Sequence, residues 1–291
     1  MKVLVLGATG MAGHVISTFL GESGHEVTTF GRQPLPGVPG LLGDATDPGA
    51  LRDALFHSDF DAVVNAVGIL NREAEEHHAR AVELNAWLPH YLSDLGRQGG
   101  PRVVHISTDC VFSGEQGGYS ETSWPDSPSF YGRSKALGEL DNDRDLTFRT
   151  SIIGPDMRSD GIGLLNWFLQ QRGEVSGYAH AMWTGVTTIA LARAIERGLE
   201  DQLSGLYHLV NNRCISKLEL LRLFNRHLRD DSVTIVPSDQ LVVDKSLLNR
   251  RAGLNFAVPG YDAMVAEMAE WIASHPSLYP HYATTVQTPA G

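Results

Sequence analysis

Apolar runs of strand length alternate with helical patterns along the first part of the chain. Residues 2–6 (Lys-Val-Leu-Val-Leu), 25–30, 62–65 and 146–153 read as strands, as does the run holding Val103, Val104 and Ile106. That run is β-branched and apolar without alternation, the mark of a strand buried on both faces of a parallel sheet. Between the strands, residues 11–20, 71–96 and a stretch opening at Tyr131 carry the helical period. Val82, Leu84, Trp87, Leu88 and Leu92 form the apolar set of the long middle one. Asp47 followed by Pro48 is a helix start signal. Strand then helix, repeated, predicts an α/β fold on a doubly wound parallel sheet.

From about residue 156 the alternation loosens. Residues 162–171 are apolar and aromatic, and 174–183 lead into a helix over about 187–199. A strand over 205–210, a helix over 216–227, a short strand over 233–236 and a last helix over 261–274 follow. The pattern predicts a main domain over 1–155, re-entered at about 184–212, and a smaller C-terminal lobe made mainly of 156–291. Residues 276–291 carry few packing signals and are expected to fray.

Composition narrows the function without naming it. With 291 residues there is ample chain for a large core, and 42% hydrophobic with 20% charged residues is ordinary globular usage. A formal charge of −11 speaks against nucleic-acid binding, which needs a basic face. No apolar run approaches a membrane span, and the glycine-broken amino terminus makes a better first strand than a signal peptide. Cys110 and Cys214 are the only cysteines, so no disulfide framework is expected and a reducing cytoplasm is the simplest location. His77 and His78 point to different helix faces and lack a His-Glu-x-x-His or Cys-x-x-Cys partner, so no metal site is expected.

The first strand runs directly into Gly7-Ala8-Thr9-Gly10-Met11-Ala12-Gly13. Glycines permit a tight turn and close backbone approach, and the helix that follows turns its amino terminus toward a pyrophosphate. Position and spacing point to a Rossmann-type dinucleotide site, although one extra residue separates the first two glycines from the usual fingerprint. An NAD site usually has a carboxylate at the end of the second strand; here stand Gly31-Arg32, with no acid before Asp44. Arg32 suits a 2′-phosphate, so NADPH is expected; if it lies only against the adenine, NADH serves as well. Asn65-Ala66-Val67-Gly68 ends another strand in small residues across which a cofactor can lie.

Ser107, Thr108 and Asp109 close the strand that begins near Val103, at the carboxyl end where ligands bind in such sheets. Tyr131 and Lys135, four apart, share a helix face. An ammonium beside a phenol lowers the phenol pKa, which would make Tyr131 an acid near neutral pH, with Thr108 on the same substrate oxygen. Tyr-x-x-x-Lys also arises in any amphipathic helix with a snorkelling lysine, and context decides between the readings.

That context is a resemblance. Ser-Thr-Asp at 107–109, Val111-Phe112, Tyr119, Glu121 and Tyr131-Gly-Arg-Ser-Lys135-x-x-Gly-Glu139, in this order, resemble the extended short-chain dehydrogenases/reductases. The branch they resemble is the dTDP-4-dehydrorhamnose reductase-like, sugar-nucleotide-modifying one. The resemblance spans roughly the first 150 residues, with weaker echoes to about 270. It implies Thr108, Tyr131 and Lys135 as the catalytic set and NADPH-dependent reduction of a nucleotide-linked 4-keto-6-deoxyhexose, in surface polysaccharide or deoxysugar synthesis. It also implies that Asp44, with Ala45, meets the adenine, that Asn85 belongs to a family helix pattern, and that Cys110, Val111, Arg149 and Trp183 lie at the substrate. The alternative for Arg149 is a tether of loops near the site. Trp167, Trp183 and Arg250 or Arg251 are candidates for the base and diphosphate. An epimerase or 4,6-dehydratase retaining NAD, and a non-catalytic partner protein, are the alternatives. A homodimer through helices 71–96 and 131–141 is a family expectation.

Overall fold

The computed structural model describes residues 1–282. The chain opens with β1 (Lys2–Leu6), α1 (Met11–Glu22), β2 (Glu26–Gly31), β3 (Gly40–Leu42), α2 (Pro48–Leu55) and β4 (Ala62–Asn65). Three α-helical pieces follow, α3 (Asn71–Glu76), α4 (His78–Ala81) and α5 (Leu88–Arg97), with a π-helical turn over Val82–Trp87 between the last two. β5 (Arg102–Thr108), α6 (Phe130–Leu137), β6 (Leu146–Ile153) and α7 (Leu164–Leu169) come next. The remainder is β7 (Glu174–Trp183), β8 (Gly185–Thr187), α8 (Thr188–Glu200), β9 (Gly205–His208), β10 (Ile215–Ser216), α9 (Lys217–Arg229), β11 (Thr234–Asp244) and α10 (Tyr261–Ser274).

The large sheet is parallel throughout, in the order β3-β2-β1-β4-β5-β6-β8. Two strands share the far edge of β6. β9 pairs with Leu146–Arg149 and β8 with Ser151–Ile153, so the chain returns to this sheet over 185–208. Successive strand residues face opposite ways. Val3, Val5, Val64 and Val104 meet Ile16 and Leu20 of α1 and Leu191 and Ile195 of α8. Leu4, Leu6, Val63 and Val103 meet Leu51, Leu55, Leu88 and Leu92 on the other side. Both faces are covered, which is why the strands read as unbroken apolar runs. Asp47 caps α2 as its sequence suggests, accepting from the backbone N–H of Gly49 and Ala50. A smaller sheet, β10-β7-β11, packs with α7, α9 and α10 around Phe168, Phe224, Leu220 and Met268.

Three expectations need correction. The helix over 71–96 is not continuous: it breaks at His77 (φ −131, ψ 67) and widens into the π turn over Val82–Trp87. Fully buried Asn85 sits in that turn, donating to the Ile69 carbonyl and to Ser134 Oγ and accepting from the Ile69 N–H. The turn thus ties the loop after β4 to α6. The short strand over 233–236 extends to Asp244 with an irregularity between Ser238 and Val242, a continuation that Pro237 and the polar residues 238–240 disguise in the sequence. Residues 276–282 do not fray: Tyr279 and Tyr282 are each 2% exposed. Residues 283–291 of that expectation lie outside the described residues.

Candidate active site

Two cavities open at the carboxyl ends of the large sheet. The first, of 1390 Å³, is lined by the turn Gly7–Met11, by Arg32, by Asp44 and Ala45, and by Ala66, Val67 and Gly68. Gly7 has φ +75, and a Cβ there would lie 3.0 Å from the Ala66 backbone. Gly13 is not on the wall but beneath it, where a Cβ would sit 2.2 Å from the Gly7 carbonyl oxygen. It lets α1 pack against the turn. Gly10 caps α1 without a side-chain bond, and the first turn holds no acid. Free N–H groups and the positive end of a helix dipole therefore meet at this wall, which fits a dinucleotide pyrophosphate. Arg32 is joined on the wall by Arg80. The backbone N–H and hydroxyl of Thr46 hold Asp44 below the usual carboxylate pKa. Asn65 is fully buried behind the cavity, accepting from Val67 N–H and reaching His105 Nδ1 at 3.2 Å.

β5 runs between β4, which leads into the Ala66–Gly68 wall of this first cavity, and β6, whose Ser151 lines the second. Its end therefore stands between the two. Thr108 there is 9% exposed, and its hydroxyl accepts from Cys110 N–H at 3.1 Å. α6 delivers Tyr131. Ser129 caps this helix, Glu75 accepts from the N–H of Phe130 and Tyr131, and Gly132 lets it close on the Cys110 loop. A Cβ on Gly132 would sit 2.1 Å from the Cys110 carbonyl oxygen. Tyr131 is 7% exposed.

The electrostatics differ from the sequence expectation. Burial raises the Tyr131 pKa well above the ordinary phenol value; Cys110, once ionised, and Asp109 add to this, and a bond with Thr108 opposes it. Lys135 does not lower it, because its Nζ turns back to the Ile106 carbonyl at 2.7 Å and to His105 Nε2 at 3.2 Å. Burial brings Lys135 itself down to about 8.

The second cavity, of 710 Å³, includes Asp109, Cys110, Trp167, Trp183, Lys217 and Lys245 in its wall. Burial raises the Asp109 pKa, with Lys217 and Lys245 opposing it. Burial also lowers Lys217 to about 8, and its Nζ lies 5.0 Å from the Trp183 ring centroid. Reading the sequence overlooked Lys217 and Lys245. The signal was there for Lys217: as the first residue of α9 it places a cation at the positive end of the helix dipole.

Other candidates lie elsewhere. Arg149 is 2% exposed and makes a bidentate pair with Glu139, so its charge is committed to holding β6 against the end of α6. Val111 is fully buried with Phe112, Tyr119 and Leu247. Arg251 pairs with Asp141 and lies over Tyr207, and the backbone N–H of Arg250 bonds Glu121. Neither arginine lines the second cavity.

Among the described residues, no helix is long and apolar enough to cross a membrane and no group of three His, Cys, Asp or Glu could hold a metal.

The dTDP-4-dehydrorhamnose reductase of Streptomyces griseus is 35% identical over 138 residues, 47% of this chain and 43% of that one. The spore coat polysaccharide biosynthesis protein SpsK of Bacillus subtilis is 27% identical over 224 residues, 75% of this chain and 76% of that one. The crystal structure of a hypothetical dTDP-4-dehydrorhamnose reductase from Sulfolobus tokodaii superposes with a TM-score of 0.75 at 27% identity, covering 91% of this chain and 99% of that one. The family model described as RmlD substrate binding domain matches residues 1–246, and the chain belongs to that family of extended short-chain dehydrogenases/reductases.

Proposed function

We propose that this chain is an NADPH-dependent reductase of a nucleotide-linked 4-keto-6-deoxyhexose. The observation that carries the reading is Thr108 at the end of β5 with the Tyr131 hydroxyl of α6 bonded to it, on the strand that runs between the strand leading to a glycine-floored cavity and the strand that walls a second cavity with tryptophans and lysines. The names of the relatives agree with it. The first cavity would hold the dinucleotide: Gly7, Thr9, Gly10 and Met11 at the pyrophosphate, Arg32 and Arg80 at the 2′-phosphate, and Asp44 with Ala45 at the adenine. When bound, the nicotinamide supplies the hydride.

The chain's own groups manage charge and protons. Thr108 polarises the sugar carbonyl with its hydroxyl. Tyr131 Oη gives its proton to the same oxygen, an acid held in its neutral form until negative charge develops beside it. Lys217 and Lys245 meet the diphosphate, and Trp167 offers the base an aromatic face. A homodimer in the cytoplasm completes the proposal. Its support is the exposed apolar side chains of the helical segments 71–96 and 131–141: Trp87, at the end of the π turn, is 39% exposed and Leu137, at the end of α6, 67%.

The test is consumption of NADPH with a panel of UDP- and dTDP-linked 4-keto-6-deoxy sugars. At least one is expected to turn over, and Tyr131→Phe is expected to slow it about 10²–10⁴-fold with cofactor affinity kept. Near-normal turnover in that variant would remove Tyr131 from the chemistry. No oxidation with any member of the panel would favour the non-catalytic reading, against which the intact Thr108, Tyr131 and Lys135 now argue.

A further inference from the structure

The family match ends at residue 246, yet Ser277, Leu278 and Pro280 stand in the wall of the first cavity. They belong to the segment 276–282, which follows α10 and ends in a short 3-10 turn over Pro280–Tyr282. Its two tyrosines are buried and both hydroxyls are engaged.

Tyr279 sits in the middle of a hydrogen-bond chain whose direction is set by its ends. The Gly10 carbonyl can only accept, so His14 Nδ1, 2.9 Å away, carries the ring proton. His14 Nε2 is then an acceptor, and Tyr279 Oη, at 2.8 Å, donates to it. Tyr279 Oη in turn accepts from Trp271 Nε1–H, which can only donate, at 2.9 Å. The chain runs from Trp271 through Tyr279 and His14 to Gly10. His14 is fully buried, and burial lowers its pKa, in keeping with a neutral ring. Gly10, which receives the end of the chain, is the residue that caps α1 at the cavity wall. A second tie joins Tyr282 Oη to the backbone N–H of Asp156, on the same wall, at 3.1 Å.

We propose that residues 276–282 are a strap belonging to the dinucleotide site, with Tyr279 and His14 as positioning residues. They hold the Gly10 carbonyl, and through it the first turn of α1, in the orientation that meets the pyrophosphate. This rests on reading the first cavity as the cofactor site. The strap acts on cofactor binding and leaves the sugar cavity and the proton transfer untouched. Removing the Tyr279 hydroxyl leaves His14 Nε2 buried without its donor, and the turn relaxes.

The experiment uses the full chain carrying Tyr279→Phe or Tyr282→Phe. NADPH affinity is read by fluorescence titration at a temperature where circular dichroism shows both variants folded, and kcat and KM are measured alongside. Tyr279→Phe is expected to weaken NADPH about 5- to 30-fold, the consequence of one buried unsatisfied acceptor. Tyr282→Phe is expected to weaken it less. The rise in Tm on adding NADPH shrinks in both, while kcat at saturating cofactor and the KM for sugar stay at wild-type values. Should Tyr279→Phe not fold, Tyr282→Phe carries the test alone. Wild-type affinity for NADPH in every folded variant overturns the strap and leaves the cofactor site standing. A wild-type chain that does not bind NADPH overturns both.

Discussion

Lys135 Nζ lies 3.2 Å from His105 Nε2, and the two groups meet as donors. Val67 N–H fixes Asn65 Oδ1, so the Asn65 amide nitrogen faces His105 Nδ1 and makes it the acceptor. The His105 ring, kept neutral by burial and by the lysine charge, then carries its proton on Nε2, toward Lys135. Burial of the ammonium is a cost that lowers the Lys135 pKa to about 8, the Glu139 charge opposes the shift, and the Ile106 carbonyl accepts from Nζ.

That cost has a sign. An unfolded lysine titrates at 10.5 and the folded Lys135 at about 8, so between these values the unfolded chain holds a proton that the native one has lost. Stability from this group therefore rises with pH from about 8 to about 10.5, and below that window the penalty is fully present. Lys135→Met is expected to raise Tm by a few degrees at about pH 7, to flatten the change across the window, and to cut turnover on the order of 10²-fold or more. Thermal melts on either side of the window check it. A variant less stable than wild type at neutral pH contradicts the account.

The pH profile of reduction follows from the same pair. Burial keeps Tyr131 protonated well past the ordinary phenol range, so the acid is present throughout the working range. Lys135 and Lys217 both lose their charge near 8, so kcat/KM is expected to fall as pH rises through that value, and the fall that persists in kcat at saturating sugar nucleotide reports Lys135. An alkaline limb at the phenol's raised pKa would show that Lys135 charge does not matter to the chemistry.

Arg32 and Arg80 face the first cavity together. Arg32→Ala is expected to weaken NADPH about 10- to 100-fold and NADH hardly at all, since only the 2′-phosphate needs the charge. Combining it with Arg80→Ala is expected to remove the remaining preference. Titration of both cofactors decides; equal losses would mean that Arg32 lies against the adenine alone.

Much of this was legible in the sequence wherever local chemistry and tertiary role coincide. Residues 2–6 are a strand because both of their faces meet apolar layers, and in 146–153 Leu146, Phe148 and Ile152 alternate toward one such layer. The glycine turn is legible for a similar reason: Gly7 and Gly13 answer steric demands a few residues away. What could not be read depends on distant partners. The break at His77 and the π turn serve the bonds from Asn85 to Ile69 and Ser134. Lys135 turns from Tyr131 because the Ile106 carbonyl on β5 accepts from its ammonium. Tyr279 looked like tail because its partners, His14 and Trp271, lie in two other helices.

Lys217 opens α9 with its charge against the helix dipole, and burial holds it near 8. Such a residue is kept at a cost to the free protein, and a bound diphosphate would repay it. Lys217→Met is expected to raise KM for the sugar nucleotide about 10- to 100-fold, leave NADPH affinity unchanged and make the free protein no less stable. Steady-state kinetics with a cofactor titration separate these effects. A loss confined to NADPH would place the lysine in the wrong cavity.

Cys110 separates a reductase from a 4,6-dehydratase. Enzymes resembling this family that eliminate water carry a carboxylate after the aspartate, and here Asp109 is followed by a thiol on the wall of the second cavity. Burial, with the Asp109 charge adding to it, pushes that thiol up to about 11. At neutral pH it is almost wholly protonated, neither base nor nucleophile. Elimination needs a base poised to take a proton beside the ketone. Asp109 alone cannot serve as both acid and base, and its own raised pKa suits it to the acid's part. The thiol shapes the pocket as a small apolar group does. Cys110→Ser is therefore expected to keep most of the reductase activity. The wild-type chain is expected to oxidise one NADPH for each 4-keto-6-deoxy sugar nucleotide reduced, and to leave an unmodified UDP- or dTDP-hexose unchanged. Product analysis by mass spectrometry checks both: a 4-keto-6-deoxy sugar formed from an intact hexose nucleotide, without net consumption of cofactor, would show that the chain finds its base without a second carboxylate.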